Sequence, residues 1–342
     1  MKAMRLHAVE DMGRNPEPLS LDDVPVPEPG PDELLLRVLA CGVCHTELDE
    51  IEGRTPPPEL PVTPGHEVVG RVVEVGGEAD PSLAGSRMGV GWFYSSCSEC
   101  EYCLEGNENL CGDFRATGRD ADGGYAQYMT VPRRSAFPIP GHLTASGAAP
   151  LLCAGAVGYR SLRLTGIEDG DSVGLTGFGG SAHLVLKMVR GRFPESDVFV
   201  FARDPCERDF ALELGAVWAG DIHEISPVML RAIIDTTPVW KPVVEAMNSL
   251  APGGRLVINA IRKENGDREY LLELDYTRHL WMEKEIKSVA NVSPRDISEF
   301  LDLAGEVRIQ PEVTEYPLEE ANRALAALRS GGIRGAKVLK MT

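Results

Sequence analysis

Positive charge is scarce in this chain beside negative charge. It sets 34 Lys and Arg against 52 Asp and Glu, a net charge of -18. Phosphate backbones and anionic bilayers are held by clustered cations, so this balance weighs against nucleic-acid and membrane partners. No apolar run approaches the length of a membrane-crossing helix. The stretch Met1–His7 has no signal-peptide core. A disulfide pattern is missing too: several of the eight cysteines fall at C-x2-C spacings. With no signal core before them, those spacings point to reduced thiols, metal and a cytoplasmic location.

What remains supports a packed enzyme-sized protein. The 342 residues are 43% hydrophobic and 25% charged, which provides for a core and excludes disorder. At ~150 residues per domain, about two domains are expected. Residues 1–150 carry short strand-like runs, Leu34–Leu39 and Val68–Val75 among them, separated by turn clusters such as Pro25–Pro31. That pattern predicts a mostly antiparallel β domain. Near residue 150 it gives way to strands alternating with helices: Ser172–Thr176, a helical run His183–Arg190, Asp197–Ala202 and Pro205–Leu214 with Gly215 at its stop. Ala232–Asp235, Pro242–Leu250, Arg255–Ala260 and Lys287–Ala290 continue it. Such alternation predicts βαβ units around a parallel sheet, an α/β fold over residues 151–292. Helices Pro294–Ala304 and Leu318–Ser330 and a closing strand Gly335–Lys340 are placed back on the first domain, making it residues 1–150 and 293–342.

Cys97, Cys100, Cys103 and Cys111 form a C-x2-C-x2-C-x7-C run in a lobe of about residues 95–113. Four thiolates this close can complete a tetrahedral zinc shell, which leaves no place for a substrate and makes the site structural. Incidental buried thiols would not cluster within 15 residues.

A second set is more dispersed: Cys44, His66 and Cys153. Two sulfurs and one imidazole leave a fourth zinc position open, as catalytic sites do. A lone histidine is more often a core or surface residue than a ligand. The carboxylates Glu67, beside His66, and Glu47, near Cys44, shift that balance, because metal-bound histidines lean on carboxylates. Cys41 ends an apolar strand and reads as core, and Cys206 lies among charged residues and reads as a surface thiol. One closed and one open zinc site, two Zn²⁺ per chain, point to a metalloenzyme.

Gly177-x-Gly179-x-x-Ala182 follows a predicted strand and opens a helix. In that context the glycines, Gly180 included, allow a tight turn and a close pyrophosphate, and Ala182 allows helix–strand packing. The acidic residue that holds a ribose 2′-hydroxyl would end the second strand. Ala202 and Arg203 stand there instead, which suits a 2′-phosphate and so NADP over NAD. The competing reading makes Arg203 a solvated cation and has Asp204 serve NAD.

Taken in order, Cys44-His45-Thr46, Gly65-His66-Glu67, the four-cysteine lobe, Ala149–Gly155 and Gly177–Ala182 resemble the zinc-dependent medium-chain alcohol dehydrogenases, and the likeness runs on to Ile333–Leu339, over essentially the whole chain. The resemblance implies a GroES-like domain and a Rossmann domain with the active site in the cleft between them, and a homodimer or homotetramer. It implies Cys44, His66 and Cys153 as catalytic-zinc ligands, with Glu67 near the metal. Glu47 matches the acidic residue that orients the ligand histidine, where Asp is more usual. Thr46 matches the hydroxyl that bonds the substrate oxygen. His45 and Arg334 match positions near the coenzyme pyrophosphate, and Ile51 and Trp92 match substrate-pocket positions. Many members carry a relay histidine five residues after the first cysteine ligand. Here that residue is Asp49, so the proton has Asp49, His45 or water as its exit.

The activity this implies is reversible hydride transfer between NAD(P) and a primary or small secondary alcohol, with zinc lowering the pKa of the substrate oxygen. The rivals are an NADPH-linked reductase acting mainly on aldehydes, a nucleotide-binding protein without catalysis, and a zinc module for nucleic acid. Thr46 and the open ligand set weigh against the second, and the net charge against the third.

Overall fold

The computed structural model describes residues 1–330 and 335–341. It divides into two compact units. The first comprises residues 1–153, 292–305 and 310–342; the second comprises 154–291 and 306–309.

The first unit is built on a seven-stranded sheet. Its longest member, Glu33–Val43, is apolar at nearly every position and pairs antiparallel with Val68–Val75, Tyr128–Pro132 and Ala336–Lys340. Val68–Val75 continues to Arg87–Val90 and then Ala136–Pro138. Inward side chains such as Leu34, Leu36, Val38, Val68 and Val72 join Leu325, Leu328 and Leu339 in one apolar core. Strand register then positions two distant parts of the chain. Cys41 lies opposite Val68, and the Gly42 N–H donates to the Glu67 carbonyl at 2.9 Å. The chain leaving one strand at Cys44 is thereby set beside the chain entering the next at His66.

The second unit is a six-stranded, all-parallel sheet. Numbered within the unit, its strands run Val173–Thr176, Val198–Phe201, Trp218–Gly220, Leu230–Asp235, Leu250–Ile258 and Glu285–Ser288, in spatial order 3-2-1-4-5-6. That order is the doubly wound Rossmann arrangement. Its inner strands are continuous apolar runs because both sheet faces are covered. Helix Pro205–Glu213 stops where Gly215 takes φ +101°, the backbone region open to glycine.

Two details depart from the sequence-based expectation. The third strand, Trp218–Gly220, carries no hydrophobic run long enough to announce itself. The sixth lies at Glu285–Ser288, two residues before the expected Lys287–Ala290, and all four of its residues are exposed. At a sheet edge only one side of the strand is paired, so burial leaves little pattern to read.

Candidate active site

Cys44, His66, Glu67 and Cys153 each offer a ligand atom, and the four atoms lie within 4.8 Å of one another. The sulfurs of Cys44 and Cys153 are 3.9 Å apart. Cys44 precedes helix His45–Ile51, and Cys153 follows the short turn Ala149–Leu152, whose Leu151 and Leu152 are fully buried. Glu47 ties the set together. One carboxylate oxygen accepts from the Cys44 backbone N–H at 2.8 Å, and the other sits 2.6 Å from His66 Nδ1. Both side chains are fully buried. A proton on Nδ1 facing Glu47 leaves the Nε2 lone pair for a metal.

His66 Nε2 is buried and has no hydrogen-bond partner among the described residues. A buried ring nitrogen gathered with two thiols and a carboxylate is a donor set that fits zinc. Of the two thiols, Cys44 is the one held toward the thiolate a metal requires. A hydrogen bond from Cys153 holds the Cys44 thiol well below its ordinary value against burial. The same contact, with burial, pushes Cys153 up. Burial and the nearby Cys44 push Glu67 well above the carboxylate range.

Glycines make the room. Gly65 takes φ +103°, and a Cβ there would come within 2.3 Å of the Tyr125 ring. A Cβ at Gly42 would meet a Glu67 carboxylate oxygen at 1.7 Å. Beside the cluster, Thr46 is buried with its hydroxyl 3.6 Å from Cys44 Sγ. His45 is exposed. Asp49 is buried, with a carboxylate oxygen 2.5 Å from Arg54 Nε. Trp92 is half-buried under the Arg119 guanidinium, 5.5 Å from the ring centre. Ile51, expected at the substrate pocket, is fully buried and packs within the apolar core cluster. Arg334 lies outside the described residues.

Cys97, Cys100, Cys103 and Cys111 also bring their sulfurs within 4.8 Å of one another. The backbone N–H groups of Glu99 and Cys100 hold the Cys97 thiol at about 7, near the thiolate state a metal requires. Cys100 N–H donates to Cys97 Sγ at 3.3 Å and Asp113 N–H to Cys111 Sγ at 3.4 Å. Cys41 is buried and Cys206 exposed.

In the second unit Gly177 takes φ +74° at the end of the first strand, and a Cβ there would meet Thr236 and Thr237 at 3.1 and 3.0 Å. Gly179 and Gly180 open helix Gly180–Arg192 with nothing within 4 Å of where a Cβ would stand. That open ground above a helix start suits a pyrophosphate. Ala182 is fully buried. Ala202 is buried and Arg203 exposed. Asp204 accepts from the Cys206 N–H at 2.9 Å and so caps the next helix.

Sequence patterning did not single out Gly42, whose missing side chain admits Glu67, or Glu50, a buried carboxylate on the Thr46 helix. The spacing of Glu50, four after Thr46, was the available signal. Nor did it single out Lys263, which binds Asp235 at 2.5 Å and the carbonyls of Thr237 and Val239. That network braces the loop under Gly177.

The fold and the two cysteine sites define a zinc-dependent oxidoreductase of the two-unit type. Residues 30–141 match the family described as the alcohol dehydrogenase GroES-like domain. The chain is 42% identical over 327 residues to the probable alcohol dehydrogenase AdhA of Mycobacterium tuberculosis, covering 94% of this chain and 92% of that one. It is 34% identical over 334 residues to an alcohol dehydrogenase of Geobacillus stearothermophilus, covering 94% and 96%. A cinnamyl alcohol dehydrogenase of Sorghum bicolor superimposes with a TM-score of 0.82 at 28% identity, over 99% of this chain and 97% of that one. The chain belongs to the zinc-type medium-chain alcohol dehydrogenase family.

Gly42→Ala is expected to displace Glu67 and to cost about 1–3 kcal/mol through overpacking. A thermal midpoint equal to the wild type's would show that the two residues do not press on each other.

Proposed function

We propose that the chain interconverts a primary or small secondary alcohol and its aldehyde or ketone, with NADP as the preferred coenzyme and two zinc ions per chain. The observation that carries this reading is the bare His66 Nε2 set among Cys44, Cys153 and Glu67 beside the Thr46 hydroxyl.

Cys44, His66 and Cys153 are the residues to hold the catalytic zinc. When bound, the metal supplies Lewis acidity toward the substrate oxygen and the nicotinamide ring exchanges the hydride. Thr46 positions the substrate oxygen and takes the hydroxyl proton at Oγ1 as it hands its own outward. His45, exposed and adjacent, offers an exit to solvent. Asp49 serves less readily, since its carboxylate is bound to Arg54. Glu47 fixes the ring plane and tautomer of His66 and in the same stroke anchors the helix that presents Thr46. The lobe thiols Cys97, Cys100, Cys103 and Cys111 would hold the second zinc and so tie down a segment with little core of its own.

Two features support NADP. Arg203 is an exposed cation at the end of the second strand, and Asp204, the alternative ribose partner, is spent on capping a helix. Gly177, Gly179, Gly180 and Ala182 shape the pyrophosphate site. Self-association is supported by the exposed apolar residues Leu272, Tyr276, Trp281, Met282 and Ile286 on and near the exposed edge strand of the second unit.

Cys153→Ala is expected to abolish turnover while the protein retains one of its two zinc ions by metal analysis. Retained turnover ends the assignment of the site. Titration followed by nicotinamide fluorescence is expected to show tighter NADPH than NADH, with Arg203→Ala weakening NADPH by about tenfold or more. Tighter NADH in the wild type reverses the coenzyme reading. Light scattering is expected to give a mass of two or four chains, lowered by Ile286→Lys. A single-chain mass for the wild type excludes the oligomer.

A further inference from the structure

Glu50 is 1% exposed, and neither of its carboxylate oxygens has a hydrogen-bond partner among the described residues. It lies three residues after Glu47 and four after Thr46, on the same face of helix His45–Ile51. It is close enough to Glu47, His66, Arg119 and Cys44 to feel the charge of each. It shares its face with Thr46, whose hydroxyl is 3.6 Å from Cys44 Sγ, whereas Ile51 belongs to the core.

The nearby cation does not satisfy it. Arg119 is committed to Asp120, with Nη2 2.8 Å and Nε 3.2 Å from Oδ2 and Nε 3.3 Å from Oδ1, and lies over the Trp92 ring. The Trp92 Nε1–H is itself buried without a partner among the described residues. An orphaned acidic group thus lies within charge range of the guanidinium that covers the ring of the orphaned donor. Buried polar groups are almost always paired, and one that is not calls for an explanation, a bound ligand among them. The site already described does not use Glu50: the metal set is complete without it, and His66 is oriented by Glu47.

We propose that Glu50 determines specificity by hydrogen-bonding a second hydroxyl on the substrate, so that the preferred substrates are diols or polyols rather than plain alcohols. A hydroxyl both donates and accepts. It can satisfy Glu50 whether that side chain is ionised or protonated, and its oxygen can take the Trp92 Nε1–H as well. The reacting hydroxyl stays at Thr46, and the second reaches along the helix by one turn. The proposal rests on the alcohol dehydrogenase reading of the site.

The test compares kcat/KM of the zinc-loaded protein for linear primary alcohols and the matching terminal diols at several chain lengths. At one length the wild type is expected to favour the diol by about tenfold, beyond the factor of two for two equivalent ends. In Glu50→Leu that preference is expected to fall to the statistical factor, and in the isosteric Glu50→Gln most of it is expected to remain. Diol affinity, read by tryptophan fluorescence, is expected to weaken in Glu50→Leu in parallel. A wild-type ratio at the statistical factor for every length overturns the proposal without any variant. So does a ratio that Glu50→Leu leaves unchanged. A wild type that oxidises neither alcohol nor diol overturns the reading of the reaction instead, and the fluorescence titration still decides whether Glu50 binds diols.

Discussion

The carboxylate of Glu47 is the contact on which the active-site geometry rests. With one oxygen it holds the backbone N–H of Cys44, and with the other it holds the ring of His66. One ligand comes from the end of a strand and the other from the start of its neighbour, so the bridge spans two otherwise independent chain segments. Glutamate has one methylene more than the aspartate usual at this position, and here that length is used to reach both partners. Because the pair is wholly buried, its electrostatic attraction is little screened. The Glu47 charge and the Cys44 sulfur accordingly hold His66 well above its ordinary value, although burial, the largest single influence, acts to lower it.

Around that bridge the packing is decided by absent side chains. Gly42 leaves room for Glu67, and Gly65 and Gly124 let the chain pass close to Cys41 and Tyr125. The loop carrying Gly118 and Gly123 packs directly on the backbone at Gly65. Close packing of backbone on backbone makes these positions stiff, which holds the chain on either side of the candidate ligand His66 in place. In the second unit the same economy appears once, where Gly177 passes beneath Thr236 and Thr237 and the buried Asp235–Lys263 pair braces that loop.

Legibility followed how local each feature is. The four lobe cysteines sit within one short segment, so spacing alone brought them together. The strand, glycine and helix sequence from Ser172 onward could be read because apolar runs and glycine stops are properties of neighbours in the chain. The surroundings of Ile51, which joins the apolar core cluster, were not legible because a seven-residue helix gives too few turns to fix which side faces the core. Trp218–Gly220 and Glu285–Ser288 were missed or displaced because a short strand or a sheet edge leaves weak patterning.

By itself the sequence determined the donor atoms: two cysteine sets, a histidine with carboxylates at hand, a glycine-rich turn and a cation where an acid is usual. These are chemical identities, and folding does not change them. The tertiary structure decided which of two acids orients His66, that Asp49 is bound to Arg54, that Asp204 caps a helix, and that Glu50 is buried with no hydrogen-bond partner among the described residues. Each depends on strand register and on which face of a short helix is covered, and these arise only when distant segments pack together.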